Sequence, residues 1–266
     1  MKSRAMKNCL ALCIALVFIP PLLFAEPSAD EIMTRNFLAS KVIDSTSDAT
    51  FHLFNAAGQE RIRETHGQTK LIAGTTDNMR LVEFLSPSDI RGTKTLLIEH
   101  SQRDDDIWIY LPAMKKVRRL VANNKKDSFV GTDFTYGDVI GHKVEEWTHT
   151  VLREEAFEGK ACYVIESLPK RAEVSAYTGY SKRISWIEKE SSVAVRGEFY
   201  DLKSELFKKT VAQDVHKVDA ASNKWQAMKL TAEDLQTGHK TIIVFTNFKA
   251  DVGVASDVFT SRYLEK

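Results

Sequence analysis

The sequence predicts a mostly β chain of the α+β class, with its few helices segregated to one side of the strands. Three observations lead there. Thirteen short segments are rich in β-branched and aromatic residues and are separated by turn signals. One strong helix-start signal stands near residue 28. The composition, 43% hydrophobic with 14 Phe, 7 Tyr and 4 Trp in 266 residues, suffices for a sizeable core. With only 12 Gly and 6 Pro it excludes disorder, collagen-like repeats and a polytopic membrane protein. The 37 basic and 36 acidic residues nearly cancel, so the chain carries no overall footprint for nucleic acid.

Residues 1–25 read as a cleaved secretory signal peptide. Lys2, Arg4 and Lys7 precede an uncharged apolar stretch from Cys9 to Phe24, and Ala25 is small enough for the peptidase. An uncleaved anchor is the competing reading, but the stretch lies at the short limit of about 17 residues for a spanning helix. Pro20 and Pro21 also break it. Residues 26–266 then form one exported domain with a single thiol, Cys162, expected to pack as a small apolar residue in a strand. No Cys stands in a metal or redox spacing.

In chain order, Ser28-Ala29-Asp30-Glu31 is a capping box that starts a helix running to about Ala39. Ala29, Met33 and Phe37 share one face of it. Strands follow at 50–54, 60–65, 79–85, 93–99, 107–111 and 117–121 as an antiparallel meander, with hairpin loops at 55–58 and 102–105. Asp104, Asp105 and Asp106 read as a solvated turn, because a calcium loop spaces its ligands and adds a distant Glu. The stretch 125–141 breaks the strand rhythm and reads as a loop with a helical turn beginning at Thr132 or Asp133. Seven more strands are expected at 146–154, 161–167, 183–188, 193–200, 205–215, 224–231 and 241–248.

Face alternation locates excess apolar surface. Val193, Val195 and Phe199 point one way from their strand, with Arg196 and Glu198 opposite. Residues 107–111 and 242–245 are apolar on both sides and call for two covered faces. The second cover is the helix at Ser28, the loop from Phe129 to Tyr136, or a ligand.

Chemistry is sparse. There is no GxSxG, HExxH, P-loop or GxGxxG, and the seven His are scattered, each reading as a surface or strand residue. The reading is non-catalytic, without cofactor or metal. Lys115, Lys116, Arg118 and Arg119, with Lys125 and Lys126 close behind, form the one basic concentration. They suit either lipid headgroup phosphates or a charged edge strand that resists unwanted pairing.

Three ordered motifs carry a resemblance: residues 84–93 (FLSPSDIRGT), 106–119 (DIWIYLPAMKKVRR) and 128–136 (SFVGTDFTY). The chain resembles the outer-membrane lipoprotein-sorting-protein-like family, bacterial secreted proteins related in fold to the carriers LolA and LolB. The resemblance implies a strongly curved, incomplete antiparallel β-barrel with helices covering the concave face, and a periplasmic location. It implies a monomeric, non-catalytic carrier of lipid or lipoprotein acyl chains, accompanied by an inner-membrane transporter of the hydrophobe-exporting class. A periplasmic regulatory module acting by protein–protein interaction is the alternative. Phe84, Trp108, Tyr110, Phe129, Phe134 and Tyr136 match the motifs and are the expected ligand-binding residues. Arg91, Arg118 and Arg119 are expected at a polar rim or in internal ion pairs with Asp133 or Asp138.

Overall fold

The computed structural model describes residues 26–121, 125–219 and 221–266. The expected signal segment, residues 1–25, lies outside the described residues. Thirteen strands are present among them: β1 (Asp44–Phe54), β2 (Glu60–Leu71), β3 (Asn78–Ser86), β4 (Lys94–Ile98), β5 (Asp106–Leu111), β6 (Lys116–Leu120), β7 (Trp147–Phe157), β8 (Lys160–Pro169), β9 (Lys182–Glu188), β10 (Ala194–Tyr200), β11 (Leu206–Asp219), β12 (Lys224–Asp234) and β13 (Lys240–Ala250). Each overlaps one of the segments expected from β-branched and aromatic enrichment.

The strands form one antiparallel sheet in the order β6, β5, β4, β3, β2, β1, β13, β12, β11, β10, β9, β8, β7. Two meanders therefore run outward from a central seam, where β1 pairs with β13 and Thr50 lies opposite Val244. The edges β6 and β7 do not meet, so the sheet is an incomplete barrel. Register shifts interrupt the ladders β1·β13, β9·β10, β10·β11 and β7·β8. Such bulges increase local twist and bend a long sheet. The exposed charges of β6 stand on an edge strand, the position where lysine and arginine discourage pairing between chains.

Helices cover the concave face, as expected. The first, α1 (Ala29–Leu38), begins with the capping box: the Glu31 amide donates to Ser28 Oγ at 3.2 Å and the Ser28 amide to Glu31 Oε2 at 2.8 Å. It buries Ile32 and Met33 against Ile165 of β8 and Ile187 of β9. The second, α2 (Tyr136–Ile140), starts later than expected, from a Thr135/Asp138 capping box. Thr132 instead closes its own turn, its hydroxyl donating to the Phe129 carbonyl at 2.9 Å and accepting from the Phe134 amide at 3.3 Å. A third helix, α3 (Ala172–Thr178), packs Val174 against Trp147 and Tyr180.

The structure corrects three expectations of solvation and facing. Of the acidic run only Asp104 is solvated: Asp105 and Asp106 are buried. Asp105 pairs with buried Lys125 at 2.5 Å, and Asp106 is bound by Arg103 at 2.7 Å, His100 at 2.9 Å and Arg119. Those donors outweigh the effect of burial and hold the Asp106 carboxyl at about 2. Lys125 is accordingly withdrawn from the exposed basic strip. In β10 the bulge between Ala194 and Arg196 turns Val195 into a cluster with Cys162, Val164 and Trp186, whereas Phe199 joins Trp147 and Tyr180. The alternation holds on each side of the bulge and reverses across it. Cys162 is a buried free thiol in β8.

Strand β5 has two covered faces, with a cover that the sequence reading did not name. Ile107 faces a cluster with Phe84, Leu97 and Phe129. Trp108 and Tyr110 face a second cluster closed by Val254, Phe259, Tyr263 and Leu264 from the segment after β13. Asp44 fixes the start of that segment by accepting from the amides of Val252 at 2.8 Å and Gly253 at 3.0 Å.

Candidate functional site

Small residues on the concave face prevent the sheet from filling its own hollow. Ser47 and Ala49 of β1, Gly67 of β2, Ser185 of β9, Gly197 of β10, Ala212 of β11 and Ala227 of β12 all border a cavity of about 490 Å³. At Gly197 any side chain would force its neighbours to move: a Cβ there would lie 2.6 Å from Thr210 Oγ1 and 2.9 Å from Phe199 Cε2. Phe51, Leu230, Ile243 and Phe245 supply the apolar wall, and Met33 and Phe37 of α1 look down from above. The volume lies within the roughly 300–1,000 Å³ usual for small-molecule sites.

The rest of the cover is the segment from Ser128 to Val144, fastened to the sheet by polar side chains from several strands. Arg63 of β2 donates to the Val130 carbonyl, and Arg80 of β3 to the Val139 carbonyl. Thr241 of β13 donates to Asp133 Oδ2 at 2.7 Å. Asp138 receives the largest set: Lys208 Nζ of β11 at 2.5 Å, the Tyr180 hydroxyl at 2.8 Å, and the Thr135 amide of its capping box at 2.8 Å. Burial alone would raise Asp138, but the Lys208 charge and then His142 outweigh it and hold the carboxyl far below its ordinary range. Lys208 is 2% exposed. Burial alone would lower it, and the Asp138 charge, with Tyr180 beside it, keeps it protonated and above its ordinary range. A lysine so held is a clamp, not a base.

Other charges also reach the cavity. Lys41 pairs with Glu99 beneath the end of α1 and donates to the Thr76 carbonyl at 2.6 Å. Arg183 of β9 and His142, just beyond α2, border the cavity on the side of the Asp138 clamp. Burial lowers Arg183 to about 10, and burial followed by the Arg183 charge lowers His142 to about 4. His142 is thus neither a surface nor a strand residue, contrary to expectation.

The structure separates the sequence-predicted ligand residues into two groups. Phe129 and Phe134 line the cavity, while Phe84 and Tyr136 pack behind them in the same core. A chain of rings joins Phe51 to Phe84 at 6.2 Å, Phe84 to Phe129 at 6.4 Å and Phe129 to Tyr136 at 5.4 Å. Burial pushes the Tyr136 hydroxyl up to about 12. Trp108 and Tyr110 lie on the opposite face, under the C-terminal segment.

None of the three arginines expected at a rim borders the cavity. Arg91 donates to the Leu85 carbonyl at 2.9 Å, Arg118 is exposed on β6, and Arg119 binds Asp106 and stacks over Trp108 at 5.7 Å. Asp138 pairs with Lys208, and Asp133 with Thr241, so neither takes the arginine partner expected for it. Phe51 was missed although its alternation with His52 marks it as facing inward. Arg183 and His142 carry no sequence signal, because only the folded cover brings them to the cavity.

A family model described as "-like: Uncharacterized protein" matches residues 76–266. A crystal structure of a domain described as an outer membrane lipoprotein-sorting protein, from Vibrio parahaemolyticus, is 26% identical. It matches with a TM-score of 0.81 over 90% of this chain and 98% of that one. The chain belongs to the outer-membrane lipoprotein-sorting-protein-like family. A DUF1329 family protein from Desulfovibrio piger ATCC 29098, also in a crystal structure, is 28% identical, with a TM-score of 0.81 over 89% of this chain and 97% of that one. A LolA superfamily protein from Nitrosomonas europaea shares the fold at 16% identity and a TM-score of 0.68, over 90% of this chain and 100% of that one. No curated protein matches the sequence. The family fold is therefore the LolA-like incomplete barrel, and the cavity occupies its covered concave side.

Proposed function

We propose that this family member is a periplasmic carrier. It binds a lipid, an acyl chain or the acyl part of a lipoprotein in the concave cavity, and passes it between envelope components without catalysis. The observation that carries this reading is the hollow of about 490 Å³, floored by small residues, walled by Phe51, Phe129, Phe134, Ile243 and Phe245, and roofed by α1 and the 128–144 cover. Moving an acyl chain through water costs about 0.8 kcal/mol per exposed CH₂ group, so a carrier must offer a compensating apolar surface. The description of the Vibrio relative as a lipoprotein-sorting domain, matched over nearly its whole length, supports the same reading. In this proposal residues 1–25 direct export and are removed. Residues 26–266 work as one monomeric domain, with an inner-membrane transporter of the hydrophobe-exporting class as partner.

The test is native mass spectrometry, followed by lipid extraction, of protein purified from the periplasm. A co-purifying lipid or acylated species is the expected outcome. An empty cavity together with a stoichiometric protein partner would instead favour a regulatory module acting by protein–protein interaction.

A further inference from the structure

Arg183 brings to the cavity wall a buried donor that has no acceptor. Arg183 is 8% exposed, and its Nε is buried with no hydrogen-bond partner among the described residues. Trp147 Nε1, behind the cavity wall, is buried in the same condition, and His142 Nε2 has only Asp138 Oδ1 near it, at 3.5 Å. These three side chains touch: the Arg183 guanidinium lies 4.0 Å over the Trp147 ring, and the His142 and Trp147 rings meet edge-on at 5.9 Å. Buried polar atoms without partners are rare in folded proteins, and an unpartnered Nε on a charged side chain that borders a cavity marks a place where an acceptor belongs.

The charge balance points the same way. Asp138 is the carboxylate on this side of the cavity, but Lys208 and Tyr180 already bind it and His142 Nε2 stands 3.5 Å from its Oδ1. With Asp138 neutralised by Lys208, the positive charge of Arg183 is left over. An uncompensated buried charge is costly, and an anion entering the cavity would offset that cost. Ala49, Phe51, Ala212, Ile243 and Phe245 make much of the floor and wall apolar, so the same ligand is expected to carry hydrocarbon as well.

We propose that Arg183, with His142 beside it on the cavity wall and the Trp147 ring packed behind the guanidinium, forms an anion site at one side of the cavity. The ligand is a single-chain amphiphile whose carboxylate or phosphate head binds Arg183 while its chain lies on the small-residue floor. This deepens the carrier reading and rests on it. Size favours one chain: a cavity of about 490 Å³ lies in the range usual for a single small-molecule ligand.

The test is calorimetric titration of the purified, delipidated protein with dodecanoate, dodecyl phosphate, 1-dodecanol and inorganic phosphate, each below micelle-forming concentration. The expected result is at least tenfold tighter binding of dodecanoate and dodecyl phosphate than of 1-dodecanol, with inorganic phosphate weakest. Arg183→Gln should erase the preference for the charged heads, and Arg183→Lys should restore part of it. Equal affinity for dodecanoate and 1-dodecanol in the unaltered protein would overturn the anion site and leave the carrier reading standing. So would an unchanged preference in a folded Arg183→Gln variant. Inorganic phosphate binding as tightly as dodecyl phosphate would replace the amphiphile by a free anion. Failure of every alkyl compound to bind would sink the anion site and the carrier reading together. If Arg183→Gln does not fold, the comparison of head groups on the unaltered protein decides the matter.

Discussion

At His142 the surroundings act on a single proton. Burial, reinforced by Arg183, places its folded value at about 4, below the ordinary 6.5. Between those values the unfolded chain binds more protons than the folded one, so stability is complete above pH 6.5 and declines as pH falls towards 4. His149, also lowered by burial, adds in the same direction. Asp106, held at about 2, contributes only at lower pH, below the ordinary carboxylate value of 3.8. Thermal melting followed from pH 7 to pH 4.5 should show the midpoint dropping, and His142→Gln should flatten that drop. An identical slope in the variant would remove His142 from the account. None of this was legible in the sequence, where His142 is one of seven scattered histidines and its neighbours Arg183 and Trp147 are distant in the chain.

Among the elements, the cover over the cavity depends on a clamp formed between α2 and β11. Lys208→Met would leave the Asp138 carboxylate buried without its cation, and breaking a buried pair on one side costs about 3–5 kcal/mol. Urea unfolding should register that loss. The double variant Asp138→Asn with Lys208→Met should recover much of it, since neither partner then carries a buried charge; a double variant as weak as the single one would mean that the pair is not the clamp. The capping box of α1 was readable from Ser28 and Glu31 because both lie within one turn. The Asp138 pair was not, because its partner is set by sheet register and by where the cover lands. The motifs bring out six aromatics without distinguishing them; Phe129 and Phe134 line the cavity, whereas Trp108 and Tyr110 follow the same apolar logic onto the other face.

Over the whole molecule, the seam between β1 and β13 joins the two meanders into one sheet, and the chain then crosses to the outer face beside β3, β4 and β5. Leu264 is fully buried there, with Phe259 and Val254 close to it. Burying a side chain of this size is worth about 1.5–3 kcal/mol. Deleting residues 252–266 should therefore lower the denaturation midpoint, promote aggregation and shift tryptophan emission to the red as Trp108 meets water. An unshifted spectrum with an unchanged midpoint would show that the segment is no cover.

Strand periodicity, turn residues and capping pairs depend on neighbours a few positions apart, so the sequence by itself determined thirteen strands, a capped first helix and the class of the fold. Which face of each strand meets the hollow, which acid finds which base, and where small side chains leave space depend on register, bulges and contacts between distant segments. Only the tertiary structure decided those. Arg183 shows why: its chemistry is ordinary in a strand, and it becomes a candidate ligand group only because the fold buries it beside Trp147 while Lys208 takes the carboxylate of Asp138.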